Sequence, residues 1–158
     1  MFVYYFLHVD RPLEDATRIA LALLDGFVDA ADIAYRSGEE LRMRAGVGNK
    51  VVAKTVNLQV GSAIRQNDEE VVVPLRWEAT GVPGLFPTME ADLIFASVGP
   101  WITQITFRGS YKPPLEGLGE AIDKALLHRV AEATVKHFVD RVGAAIIGWP
   151  HSERAGAL

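Results

Sequence analysis

The stretch LLHRVAEATVKHFVDRV, residues 126–142, places two of the chain's four histidines beside carboxylates and arginines at helical spacing. Read as a helix, it sets His128, Glu132, Lys136 and Asp140 four residues apart, a row of alternating charge that reads as an ion-paired solvent face. Arg129, Ala133, Thr134, His137 and Arg141 fall on or beside the apolar stripe of the same helix. Arg129 or His137 could therefore turn into a cavity and hold a carboxylate, hydroxyl or phenolate. A fully desolvated guanidinium costs several kcal/mol unless it is paired, so the alternative is that both snorkel to a wet rim.

Other reactive patterns are missing. AGVGNK lacks the spacing and the final Lys-Ser/Thr of a phosphate-binding loop, and GSAIR and GSYK lack the nucleophile-elbow pattern. There is no HExxH, and His8, His128, His137 and His151 are scattered. Asp25, Asp29 and Asp32 suit the outer side of a short helix, where they act in solvation. The absence of cysteine removes thiol nucleophiles, disulfides and cysteine zinc sites. No cofactor and no metal is expected. A net charge of −4 argues against a nucleic-acid partner, because acidic residues flank the densest basic run, Arg42, Arg44, Lys50 and Lys54.

The elements that must position any site follow from hydrophobic periodicity. With 158 residues, 49% of them hydrophobic and 23% charged, the chain is expected to form one globular domain over residues 1–148, followed by a mobile tail, 149–158, in which Trp149 packs locally. MFVYYFLHVD reads as a strand, with Val3, Tyr5, Leu7 and Val9 on one face and His8 on the other. Asp10 is the expected N-cap of a helix with Pro12 near its first turn; Leu13, Ala16, Ile19, Ala20, Leu23 and Leu24 line that helix, and Gly26 stops it. FVDAADIAYRS reads as a second short helix.

From residue 39 the period is two. Leu41, Met43 and Ala45 alternate with charged residues, and Val52, Val56, Leu58 and Val60 form the next alternating set, with Lys54 as its exception. After the polar turn QNDEE come Val71, Val73, Leu75, Trp77 and Ala79, then Met89, Ala91, Leu93 and Phe95, then Trp101, Thr103, Ile105 and Phe107. One-sided alternation of this kind predicts an antiparallel sheet with one wet and one covered face. The cover is a long helix over residues 116–147, whose stripe is expected to run Leu118, Ile122, Leu126, Val130, Ala133, Phe138, Val142 and Ala145.

The connection GVPGLFPT between two of these strands carries Leu85 and Phe86 between prolines, where a polar loop would be ordinary. Either they lid an apolar cavity or they plug the open end of the core. The N-terminal FVYYFLHV is too short for a membrane span and has no basic leader, so no span is expected and the cytoplasm is the expected location.

The order of elements resembles the helix-grip fold of the START-like (SRPBCC) superfamily, over about residues 2–147. HVDRPLEDATRIALALLD is similar to that superfamily's V-x-A-P-x-E-x-V-W-x-x-L-x-D opening, with Arg11 where a small alanine is usual and Ile19 where an aromatic often sits. TGVPGLFPTMEADLIF and LGEAIDKALLHRVAEATVKHFVDRV also look like bacterial members, while the tryptophan-rich segment common after the second helix is missing. The resemblance implies an α+β chain with a curved antiparallel sheet of six or seven strands, and a cavity between that sheet and the long helix.

It also implies a role: binding a small hydrophobic molecule such as a lipid, polyketide or aromatic metabolite, as a monomer or homodimer. The residues expected to line the cavity are Tyr5, Met43, Trp77, Leu85, Phe86, Met89, Phe95, Thr103, Phe107, Arg129 and His137. An aromatase/cyclase- or dehydratase-like enzyme is the alternative, with Arg129, His137, Tyr5 or Thr103 giving acid–base help. A protein-interaction module with a filled core is the third.

Overall fold

The structure, a computed structural model, describes residues 1–23, 55–80, 88–111 and 124–150. In chain order these form β1 (Phe2–Val9), α1 (Leu13–Ala22), β2 (Thr55–Val60), β3 (Ile64–Asn67), β4 (Glu70–Thr80), β5 (Met89–Gly99), β6 (Ile102–Tyr111) and α2 (Lys124–Gly148). The strands make one antiparallel sheet in the order β1-β6-β5-β4-β2, with β3 also paired to β4. The expected α+β helix-grip arrangement is what the chain adopts, with the long helix laid on one face of a curved sheet. The second short helix, the strand at 39–45 with Met43, and the GVPGLFPT loop with Leu85 and Phe86 lie outside the described residues.

Alternation in the sheet is obeyed closely. Val73, Leu75, Trp77, Met89, Leu93, Phe95, Thr103, Ile105 and Phe107 are all buried, while Arg76, Glu90 and Arg108 are exposed on the other face. In-register neighbours pair their charges there, Arg108 with Asp92 at 3.0 Å and Arg76 with Glu90 at 3.8 Å. Such exposed pairs contribute little, about 0–1 kcal/mol each. Trp101 departs from the pattern. It lies in the turn before β6 and is 73% exposed, beside exposed Val98 and Ile102. The inward face expected to include it begins only at Thr103, where β1 becomes a neighbour of β6. Thr106, expected on the wet face, is buried and accepts a hydrogen bond from Gln104 Nε2.

The first helix also differs at both ends. Pro12 is its N-cap residue and no side chain caps it, so Asp10 stands too early to reach the amides of the first turn. Glu14 and Asp15 occupy that turn and favour the positive end of the helix dipole. The helix ends at Ala22 rather than at Gly26, and the Leu23 amide bonds back to Ile19 and Ala20.

Helix α2 packs chiefly on β1. Its buried stripe is Thr134, Val135, Phe138, Val139, Val142 and Ile146, whereas Ala145 is exposed and Ala133 only half-buried. The buried face keeps steps of four from Thr134 to Ile146 with Val135 and Val139 beside them, where the expected stripe steps by three to Ala133 and Ala145. Close approach to β1 is set by Gly143, where an added Cβ would sit 3.0 Å from both Leu7 methyl carbons. Alanine there is expected to be near neutral, since a gain of about 1 kcal/mol in helix propensity offsets a small shift of Leu7. Gly143→Leu has no such room and is expected to cost about 1–3 kcal/mol by urea unfolding. A leucine variant as stable as the parent would show that α2 can lift off β1 freely. At the far end Trp149 packs against the core, so the expected tail is tied down at its start, and residues 151–158 lie outside the described residues.

Candidate functional site

Strand register brings Trp77, Met89 and Tyr111 into one row across β4, β5 and β6, all buried on the face that carries α2. This row lies at the end of the sheet opposite α1, where β4 ends and β5 begins. Behind it, Trp77, Phe107 and Phe138 form an aromatic triangle with centroids 5.5–6.0 Å apart, and both Phe138 contacts are edge to face. That cluster joins sheet to helix and makes a stiff apolar wall. Gly109 lets it form. A Cβ at that position would come within 2.7 Å of Phe107 Cε1 and 3.2 Å of Met89 Sδ.

The row ends in polar groups. Tyr111 Oη lies 3.5 Å from His128 Nδ1, and His128 Nε2 lies 3.3 Å from Glu132 Oε1. Burial, with the Glu132 charge as a lesser cause, raises the Tyr111 pKa and keeps its hydroxyl protonated. The Glu132 carboxylate faces the Nε2 edge of the ring and the Tyr111 hydroxyl faces the Nδ1 edge, and the ring's protonation and tautomer set which nitrogen donates. The arrangement sets an imidazole between a carboxylate and a phenol, which can polarise or move a proton.

The row of charges on α2 is thus paired as the sequence implies, His128 with Glu132 and Lys136 with Asp140, but His128 is only partly exposed and belongs to the inner site. A signal for this lies in the spacing: His128 precedes Val135 by seven and Val142 by fourteen, so it shares their face. Tyr111, the last residue of β6, falls four residues after Phe107, so the period of two also places it on the inner face.

The residues expected to line a cavity are divided. Trp77, Met89 and Phe107 meet in the site just described. Phe95 is six residues along β5 from Met89, about 20 Å away, and one small ligand cannot touch both. Thr103 is buried at that distant end, and its hydroxyl donates to the Arg11 carbonyl at 2.7 Å. Tyr5 is half-buried and points inward as expected, with its hydroxyl donating to Asp140 at 2.9 Å and Lys136 lying over its ring. The Asp140 hydrogen bond, then that from Tyr5, raises the Lys136 pKa.

Arg129 and His137 are exposed, so the inward placement considered for them does not hold. His137 lines a groove of about 480 Å³ on the outer flank of α2, with Asp140, Arg141, Ala144 and Ala145. The apolar stripe rotates them outward once its true steps are followed. A second groove, of about 660 Å³, crosses the outer face of the sheet between Phe2 and Gln59. Its charged walls, Arg76 with Glu90 and Arg108 with Asp92, neutralise each other. Among the described residues no cluster of three metal-binding side chains occurs, and no helix is long and apolar enough to cross a membrane.

No family model matches the sequence, and no curated protein matches it. Solved structures do. A conserved protein from Geobacillus kaustophilus is similar with a TM-score of 0.53 and 14% identity, over 92% of this chain and 95% of that one. The Zhui aromatase/cyclase from Streptomyces sp. R1128 is similar with a TM-score of 0.38 and 12% identity, over 94% and 92% of the two chains. A START superfamily protein from Mycobacterium smegmatis is similar with a TM-score of 0.35 and 16% identity, over 92% and 96%. At these identities the likeness is one of fold.

Proposed function

We propose that this chain, with its START-like helix-grip fold, binds a small and mostly apolar molecule between the sheet and α2, at the end marked by Trp77, Met89 and Tyr111. The observation that carries this reading is the change of character along the inner face. A continuous apolar wall ends in one buried hydroxyl and one imidazole, the pattern of a pocket that gains affinity from burial and orientation from few polar groups. Burial at about 25 cal/mol per Å² makes even a two-ring ligand worth several kcal/mol before the cost of association. Leu85 and Phe86 belong to the connection between β4 and β5, which leaves and rejoins the sheet beside this row.

The Tyr111–His128–Glu132 chain favours one second reading, an enzyme of the cyclase or dehydratase kind in which this chain moves a proton on a bound substrate. A binding protein is the simpler reading, because one hydrogen-bonded chain suffices for orientation.

Native mass spectrometry of the gently purified protein, followed by denaturing extraction, tests the reading. A stoichiometric organic molecule is expected on the protein, and its identity sets the substrate to try for turnover. A bare mass together with a flat thermal-shift response to lipids and aromatic compounds would sink it. The exposed Val98, Trp101 and Ile102 would then be the place to look for a protein partner.

A further inference from the structure

We propose that the tip of the β5–β6 hairpin is a docking surface for an amphipathic helix of a protein partner, one whose apolar stripe is flanked by lysine or arginine. This inference goes beyond the small-molecule reading, since the tip lies at the other end of the sheet. Gly99 is ten residues along β5 from Met89, about 33 Å at an extended rise. The tip holds three apolar side chains in water: Val98 is 52%, Trp101 73% and Ile102 39% exposed. None of the three belongs to the core that the described residues form.

The hairpin presents them on a stiff support. Gly99 pairs with Ile102, so Pro100 and Trp101 form a two-residue loop in which the proline ring fixes one dihedral. The register of β5 on β6 shifts between Ser97 and Gly99, which makes Val98 the extra residue of a bulge, a device that re-aims a side chain. Ser97 Oγ donates to the Gly99 carbonyl at 3.2 Å across that bulge. The Ser97 amide donates to the Glu69 carbonyl at 2.8 Å, which ties the hairpin to the β3–β4 turn. Side chains held this way lose little freedom on binding, and tryptophan is foremost among the residues that anchor interfaces.

Charge decides the partner, because strand order sets acids on both sides of the tip. On one side Asp10 follows the Val9–Thr103 pair and so lies beside Ile102. On the other, Glu69 adjoins Ser97 and Asp68 is the next residue outward. All three are exposed, and no cation among the described residues pairs with them; Arg18 and Arg65 pair with Asp15 and Glu14. From β1 to β4 there are three strand spacings, about 14 Å. A helix is about 10–12 Å across with its side chains, so one lying over Trp101 brings a cation on each flank within reach of an acid. A lipid surface fits less well, since these carboxylates repel anionic headgroups.

Two fluorescein-labelled peptides test it by anisotropy against the full chain: the leucine–lysine helix LKKLLKLLKKLLKL, and its counterpart with glutamate for every lysine. The lysine peptide is expected to bind at least about tenfold more tightly than the glutamate peptide. Trp101→Ser is expected to weaken it at least about tenfold while leaving the melting temperature of the protein unchanged, because the ring packs on nothing in the core. Asp68→Lys and Glu90→Lys change the net charge equally, one beside the tip and one at the far end of the sheet. In about 0.1 M salt, which screens charges more than about 10 Å away, Asp68→Lys is expected to weaken the lysine peptide several-fold and Glu90→Lys to leave it unchanged.

Equal binding of the two peptides, or equal weakening by Asp68→Lys and Glu90→Lys, would show a general attraction to an acidic protein and overturn the proposal. Binding that Trp101→Ser leaves unchanged overturns it too, and so does a lysine peptide that fails to bind. Vesicles of phosphatidylcholine with phosphatidylglycerol are run alongside by flotation. If they carry the parent chain and not Trp101→Ser while the lysine peptide stays free, the tip is a lipid anchor and the helix proposal is wrong. None of these outcomes bears on the site marked by Trp77 and Met89, which the mass measurement above tests by itself.

Discussion

Replacing Arg11 by methionine is expected to lower the unfolding free energy by about 2–4 kcal/mol, through the loss of two charge-assisted hydrogen bonds to the end of α2. Arg11 is only 4% exposed, and its guanidinium donates to the carbonyls of Ile147 at 3.1 Å and Trp149 at 2.6 Å. The Ile147 carbonyl is in the last turn of the helix and that of Trp149 follows directly after it, where no intrahelical donor reaches them and where the dipole is negative. The same residue ties in a third element, since Thr103 on β6 donates to its carbonyl. One side chain therefore holds the β1–α1 junction against both β6 and the end of α2.

Methionine keeps the apolar stem and removes only the charge. Swapping a buried ion pair for apolar residues can be neutral when both partners go, but here the two carbonyls remain and must find water or lie unsatisfied. In a chain of this size each kcal/mol moves the midpoint by about 2–4 °C, so a fall of about 5–15 °C is expected. Arg11→Lys retains the charge without the forked geometry and should lie between the two. A methionine variant within about 1 kcal/mol of the parent in urea, with an unchanged m-value, would show that the carbonyls are as well served by water.

Arg11 also marks where sequence reasoning stops. It stands out as an odd residue in a position where a small one is usual, yet its partners are 136 and 138 residues further along. No local pattern encodes such a contact. The sheet is far more legible. A period of two admits only two faces, and a slip of one residue in any of these strands would turn that strand's inward apolar side chains into water. The register is therefore strongly determined by composition alone.

The helix is the intermediate case. A step of four residues advances 400° and drifts by 40°, so a stripe drawn in fours walks around the cylinder. Alanines at 131, 133, 144 and 145 leave more than one stripe plausible. The expected stripe, stepping by three from Val130 to Ala133 and from Val142 to Ala145, turns those alanines inward and sends His128 to solvent, whereas Tyr111 is its partner. The candidate site is thus partly legible: periodicity places Trp77, Met89, Phe107 and Tyr111 inward, whereas the meeting of Tyr111 on β6 with His128 on α2 is encoded by no local pattern.

Phe138→Ala is expected to have the largest single effect of any substitution in the described core, about 3–5 kcal/mol. Phe138 is fully buried and is the ring that α2 contributes to the cluster with Trp77 and Phe107. Its removal takes away apolar burial and two edge-to-face contacts, and the space left behind cannot collapse easily. Trp77 and Phe107 are held on adjacent parts of a paired sheet, and α2 is pinned to β1 at Gly143 and to Arg11 at its end. A gap between two held surfaces stays open.

That rigidity makes a second outcome testable. A dry apolar gap of this size binds small aromatic molecules, and a ligand that binds only the folded state raises stability by mass action. Benzene is therefore expected to raise the melting temperature of Phe138→Ala and to leave that of the parent chain nearly unchanged. Should the alanine variant fail to fold, Phe138→Leu, expected to cost about 1–2 kcal/mol, gives a milder version of the same measurement. A loss below about 2 kcal/mol for alanine, with no response to benzene, would mean that helix and sheet close over the gap. The wall behind Trp77 and Met89 would then be soft, and a soft wall could not orient a ligand against Tyr111.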